Sequence, residues 1–192
     1  MPDKVTNVFI AGVGGQGILL ASEILSEVAL SHGLDVKKSE VHGMAQRGGS
    51  VVSHVRFGAK VYSPVIAERE ADLLVSFEKM EALRWIHYLA PGGTVIVNEQ
   101  EIVPSGLEEY PEGLGDEIRA RVPDSLFVDA LRLANEAGHA RAANTVMLGA
   151  FSNYLDFSEE DWKGAIQGRV PKKTIDVNLK AFELGRNATK RS

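Results

Sequence analysis

Apolar and polar positions change rhythm repeatedly along this chain, and each change marks an element. Val5–Ala11 is a short apolar run rich in valine and isoleucine, the pattern of a buried strand. From Gln16 the spacing lengthens. Ile18, Ala21, Leu25 and Val28 recur at helical intervals with Ser22, Glu23, Ser26 and Glu27 between them, until His32-Gly33 closes the helix. Leu34–Val41 reads as a second strand, half-exposed because of Lys37 and Lys38. The stretch "HGMAQRGGS" (42–50) is too rich in glycine for regular structure. Val51, Val55 and Phe57 mark "VVSHVRFG" (51–58) as a strand, and "KVYSPVI" (60–66) after Gly58-Ala59 predicts the return strand of a hairpin.

Ala71–Phe77 predicts a strand leading into a helix over Glu78–Leu89, closed by Pro91-Gly92-Gly93. "TVIVN" (94–98) is the next strand, Glu99–Gly115 a long surface loop rich in proline and glycine, and "SLFVDA" (125–130) a last strand. Helices are then predicted over Leu131–Ala137, Asn144–Leu155, Ser158–Gln167 and Thr174–Leu184. Ser158 with Asp161 has the spacing of a capping box. Trp162 and Ile166 share one face, as do Ile175, Leu179 and Phe182, and these are core or interface positions. Strands alternating with helices give an α/β fold: a doubly wound, mostly parallel Rossmann-like sheet with an antiparallel hairpin inserted near residues 50–63. The C-terminal helices would cover one face or reach toward a partner, a second copy of the isolated chain included. At 192 residues the chain can bury one sizeable core, so residues 1–192 read as a single domain.

Composition acts mainly by exclusion. Twenty-one basic against twenty-six acidic side chains give a net charge of −5 with no long basic block, which argues against a nucleic-acid surface. The chain has no cysteine, so it offers no disulfide, no thiolate zinc site, no cysteine nucleophile and no cysteine-ligated iron–sulfur cluster. "MPDKVTNV" has no signal-peptide character, and no apolar stretch approaches the ~18 residues of a membrane span, so the expectation is a cytoplasmic protein without membrane contact. The histidines at 32, 42, 54, 87 and 139 show no metal-ligand spacing, and no metal is expected on this chain. Walker A and G-x-S-x-G patterns are absent, and no self-contained catalytic apparatus emerges.

Two stretches carry candidate chemistry. In "VFIAGVGGQGILL" (8–20), Gly12, Gly14 and Gly17 fit G-x-G-x-x-G between a strand and a helix. One glycine makes the turn, one admits a ligand to the backbone, and one lets helix and strand pack closely. The free N–H groups at such a helix start favour an anion. A nicotinamide or flavin dinucleotide would also need an acidic grip on its ribose. Glu40 is the candidate, with Lys37-Lys38 beside it arguing against a buried ribose pocket. Glycines that serve packing alone are the bland alternative.

The second stretch, 42–50, supplies His42, Gln46 and Arg47, then Gly48 and Gly49. By chain order it leaves the carboxyl end of the second strand, as the glycine loop leaves that of the first, and ligands of open α/β sheets sit at that edge. A guanidinium holds a carboxylate or phosphate with two parallel hydrogen bonds. A structural salt bridge for Arg47 and a plain loop hydrogen bond for His42 are the alternatives.

"GVGGQG" (12–17) followed by "HGMAQRGGSVVSHVRFG" (42–58) resembles the gamma-type subunit of 2-oxoacid:ferredoxin oxidoreductases, and within that family most closely the indolepyruvate ferredoxin oxidoreductase beta-subunit branch. "SPVI" (63–66), "ADLLVSFEKMEALR" (71–84), "NTVMLGAFSNYL" (144–155) and "NLKAFELG" (178–185) extend the likeness over nearly the whole chain. The resemblance implies a subunit of an enzyme that oxidatively decarboxylates a 2-oxoacid, an arylpyruvate in this branch, with coenzyme A as acyl acceptor and ferredoxin as electron acceptor. Thiamine diphosphate, Mg²⁺ and [4Fe-4S] clusters would reside on a larger partner subunit. The absence of cysteine and of a GDG…NN signature here agrees with that division. Gly14, Gly15, Gln16 and Gly17 are expected to present N–H donors to an anionic group such as a coenzyme A phosphate. His42, Gln46 and Arg47 would line the same crevice or the subunit seam. Alone, the chain is expected to be inactive.

Overall fold

The computed structural model describes residues 4–42, 48–104 and 106–190. Six strands form one sheet: β1 (Thr6–Val13), β2 (Asp35–His42), β3 (Ser50–Gly58), β4 (Ala71–Ser76), β5 (Leu89–Asn98) and β6 (Leu126–Val128). Their order is β2-β3-β1-β4-β5-β6. Among the described residues the α-helices are α1 (Ile18–Ser31), α2 (Lys79–Trp85), α3 (Leu114–Arg121), α4 (Ala130–Ala137), α5 (Ala143–Ser152), α6 (Glu159–Arg169) and α7 (Ile175–Ala188). None is long and apolar enough to cross a membrane.

Both faces of the sheet are covered, which is why β1 reads as apolar at successive positions. Val8 and Ile10 join the larger core with Leu25, Phe151, Trp162 and Phe182, whereas Phe9 and Ala11 join the smaller one with Ile66, Ala82 and Ile118. Trp85 and Tyr88 close the smaller layer over Phe9, with ring centroids 5.6 and 4.5 Å away. The larger layer holds α1 and the C-terminal helices, so those helices cover a face of the sheet. The α6 start carries the expected capping box: Asp161 N–H donates to Ser158 Oγ at 3.2 Å, and Ser158 N–H to Asp161 Oδ2 at 2.9 Å. Arg169 ties α6 to Glu27 and Glu23 of α1 at 2.6 and 3.3 Å. Where α5 crosses α7 the backbones nearly touch. A Cβ on Gly149 would lie 2.1 Å from the Phe182 carbonyl oxygen, and one on Gly185 1.9 Å from that of Val146.

The doubly wound, mostly parallel expectation holds, but the antiparallel element is not the one predicted. β3 pairs antiparallel with both β1 and β2, while β1–β4, β4–β5 and β5–β6 are parallel. Residues 59–70 form no strand. Pro64 has no N–H to give a ladder, and the nearby backbone bonds side chains instead. Val61 N–H donates to Asp35 Oδ2 (2.9 Å), Ile66 N–H to His54 Nδ1 (3.1 Å), and Arg56 Nη1 to the Ser63 and Val65 carbonyls (3.2 and 2.8 Å). Val61 and Ile66 are buried as loop anchors rather than as alternate strand positions.

Two further boundaries move. The helix after β4 ends at Trp85, followed by a single 3₁₀ turn over Ile86–Tyr88. Pro91-Gly92-Gly93 then lies inside β5 and only shifts its register against β4, between Ala71 and Leu73. The long loop after β5 runs into α3, which takes its first two residues, Leu114 and Gly115, from it.

Candidate functional site at the carboxyl edge of the sheet

β1 and β2 run the same way and end at Val13 and His42, and β3 starts between them at Ser50. Val13 is the register partner of Ser50, and Gly12 and His42 both face Val51. The two glycine-bearing stretches therefore meet, and Gly14 N–H donates to the Gly49 carbonyl at 2.9 Å. Gln46, Arg47 and the side chain of His42 lie outside the described residues.

Gln16 turns out to be a brace. Its Oε1 accepts from Val13 N–H at 2.7 Å, and its Nε2 donates to the Phe77 carbonyl at 2.7 Å and to Gln100 Oε1 at 3.0 Å. Its own N–H returns to the Val13 carbonyl at 3.1 Å. The expectation of four outward N–H groups is thereby corrected to two, because Gly14 and Gln16 use theirs inside the loop. Among the described residues no protein acceptor takes the N–H of Gly15 or Gly17. The bracing continues through buried Asn98, whose Nδ2 donates to the Phe77 carbonyl (3.0 Å) and whose Oδ1 accepts from Ala130 N–H (3.2 Å) at the start of α4.

The loop borders a cleft of about 450 Å³ lined by Gly15, Gly17, Gln100, Leu131, Arg141 and Asn144. Gly17 has φ +82°, and any Cβ there would sit 2.7 Å from Asn144 Nδ2. Gly15, at φ +101°, has open space where a Cβ would be. Arg141 is exposed, and among the described residues no carboxylate pairs with it. The cleft thus combines two free backbone donors, the positive end of α1 and an uncommitted guanidinium, an arrangement suited to a phosphate. A second cleft of about 400 Å³, apolar in character, lies against Gly14, Ile18, Leu20 and Val51.

Two buried glutamates stand behind this edge. Glu78 caps α2 by accepting from Glu81 N–H at 3.0 Å and also accepts from Ile102 N–H (3.4 Å) and the Tyr110 hydroxyl. Burial, then the adjoining Glu78 carboxylate, pushes the Tyr110 phenol far above its ordinary range, so Tyr110 remains a donor. Glu81 accepts from the Ser50 hydroxyl and from Trp85 Nε1 (3.0 Å), with Arg84 Nε at 3.4 Å.

The dinucleotide alternative loses its ribose grip. In such a unit the second strand lies directly beside the first. Here β3 intervenes, which puts β2 roughly 10 Å from β1. Glu40 faces Ser53 across the ladder and pairs with Lys38 Nζ at 2.7 Å.

Comparison with known proteins decides the family: residues 7–188 match the one described as pyruvate ferredoxin/flavodoxin oxidoreductase. The chain belongs to that family. It is 46% identical over 198 residues to the indolepyruvate oxidoreductase subunit IorB of Thermococcus kodakarensis, with 97% of each chain covered. The fold is shared with a keto/oxoacid ferredoxin oxidoreductase gamma subunit from Geobacter sulfurreducens (TM-score 0.73, 24% identity, covering 96% of this chain and 98% of that one). It is also shared with part of a 2-oxoglutarate:ferredoxin oxidoreductase from Magnetococcus marinus, a structure with 2-oxoglutarate, coenzyme A and succinyl-CoA bound (TM-score 0.76, 23% identity, 98% and 31% covered). The likeness to gamma-type subunits read from the two motifs is thus established.

In this pyruvate ferredoxin/flavodoxin oxidoreductase family member, the structure brings together Gly12, Gly14, Gly15, Gln16, Gly17, Gly48 and Gly49, and the backbone of His42 reaches the same edge. Glu81, Gln100, Arg141 and Asn144 do not stand out in the sequence. The two glutamates sit three apart at a helix start, the pattern of a solvated face, and only the fold buries them. Arg141 belongs to a short 3₁₀ turn whose nearness to the glycine loop is set by α4 and α5.

Proposed function

We propose that this chain is the smaller subunit of a 2-oxoacid:ferredoxin oxidoreductase acting on indolepyruvate or related arylpyruvates. Its role is to complete the acyl-acceptor crevice of an active site held by a larger subunit. The 46% identity to IorB over 97% of both chains carries this reading, because it joins substrate class and subunit type in one relative. Thiamine diphosphate with Mg²⁺ and [4Fe-4S] clusters would be held by the larger subunit, where they would supply the decarboxylation and electron-transfer chemistry. With no cysteine, this chain offers no thiolate ligand to such a cluster.

Coenzyme A does fit the residues present. Its phosphates are anionic, and Gly15 and Gly17, whose N–H groups have no acceptor among the described residues, line one cleft with Arg141. The Gln16 brace holds those donors in place before the ligand arrives, so little ordering cost is left to binding. The coenzyme A and succinyl-CoA bound in the Magnetococcus marinus enzyme are consistent with an acyl acceptor in this fold's company. The complex acts in the cytoplasm, where free thiols such as coenzyme A stay reduced.

Co-expression with the candidate larger subunit tests the reading. The complex should reduce an artificial electron acceptor when given indolepyruvate and coenzyme A, faster than with pyruvate or 2-oxoglutarate, and the isolated chain should not. A preference for a small aliphatic 2-oxoacid overturns the substrate class. Micromolar binding of NADH to the isolated chain by calorimetry, about 8 kcal/mol, overturns the crevice itself.

A further inference from the structure

Glu81 is a buried group that the proposed reaction leaves without a task. It is only 4% exposed, and a carboxylate so placed costs several kcal/mol unless donors compensate. Three do: the Ser50 hydroxyl and Trp85 Nε1 on one oxygen, Arg84 Nε beside the other. The Trp85 indole is itself wedged against Phe9 and Tyr88, at 5.6 and 5.8 Å between centroids, so the end of α2 is fixed to the sheet. Ser50, the first residue of β3, is the register partner of Val13 and follows Gly49, whose carbonyl takes the Gly14 N–H. A continuous line of contacts thus runs from α2 through Ser50 and Gly49 into the glycine turn. Gln16 braces the loop toward β4 and β5; Glu81 braces it toward β3.

We propose that Glu81 is a positioning residue: by holding the Ser50 hydroxyl it fixes Gly49, and through Gly49 the height at which Gly15 and Gly17 meet the anionic part of coenzyme A. This rests on the reading of the cleft as the acyl-acceptor crevice. Glu81 itself touches no ligand.

The test uses the assembled complex with Ser50→Ala, Ser50→Thr and Glu81→Met, and Gly15→Ala as a probe of the crevice. Ser50→Ala and Glu81→Met should raise KM for coenzyme A about tenfold while kcat and KM for the 2-oxoacid stay within about twofold. Ser50→Thr should restore the original KM, and amide exchange at Gly14 should quicken in Ser50→Ala. Should Glu81→Met fail to assemble, the Ser50 pair decides alone. If Gly15→Ala raises KM for coenzyme A but Ser50→Ala changes neither that KM nor Gly14 exchange, the positioning role falls and the crevice stands. If Gly15→Ala leaves that KM unchanged, crevice and positioning role fall together. A Ser50→Ala that lowers kcat and weakens both substrates alike, unrestored by Thr, reduces the contact to general support and also overturns the proposal.

Discussion

Glycine does opposite work at two places in this molecule. At the crossing of α5 and α7, Gly149 and Gly185 are filled space: an added methyl would sit about as far from a partner's carbonyl as a hydrogen does, 2.1 and 1.9 Å. In the loop after β1, Gly15 is open space, with nothing within 4 Å of the missing Cβ. The first pair lets two helices share one backbone-to-backbone contact in the core. The second keeps a backbone donor reachable. Residue type alone does not separate these duties; what lies beyond the Cα does.

The contrast breaks most visibly at the helix crossing. Gly185→Ala should force α5 and α7 apart and cost about 3 kcal/mol or more, a fall in Tm of roughly 6–12 °C at this chain length, read by calorimetry of the purified chain. Gly15→Ala should cost only about 1 kcal/mol for its left-handed φ, roughly 2–4 °C, yet raise KM for coenzyme A in the complex about tenfold. Equal losses of stability in the two variants would dissolve the distinction between packing glycine and site glycine.

A smaller effect separates the two sheet faces by pH. Burial, with Arg56 adding to it, holds the His54 imidazole below its ordinary value of 6.5, and its Nδ1 accepts from Ile66 N–H. The unfolded chain therefore binds this proton first. Its stabilising contribution is fully present above 6.5 and is lost as pH falls from there toward the depressed folded value. Urea unfolding should show that slope in the wild type and a flatter one in His54→Gln, and an NMR titration should place the His54 midpoint below 6.5.

Periodicity carries much of the fold. The α1 stripe, the Ser158–Asp161 cap and the burial of Trp162, Ile166 and Phe182 all follow from spacing within one element. The hairpin partner is misleading because the apolar residues of "KVYSPVI" read as a strand after Gly58-Ala59, while the bonds to Asp35 and His54 that replace a ladder come from outside the segment. The site divides the same way. That the two glycine stretches meet follows from chain order, but the brace from Gln16 to Gln100 spans 84 residues and the Ser50–Glu81 contact spans 31. No local pattern announces a bond of that reach, so a glutamine that reads as a ligand donor proves to be a strut.

The insertion of β3 also has a consequence for the nascent chain. The middle strand of the molecule finds its neighbours late, since Thr6 waits for Phe57 and Ala11 for Ser76. Until that much polypeptide has left the ribosome, β1 and β2 emerge with a strand's width between them and both backbone edges bare. Such non-local closure slows folding and invites association through those edges. For a member of a family of multi-subunit enzymes, those bare edges make the order of synthesis and assembly part of the folding problem.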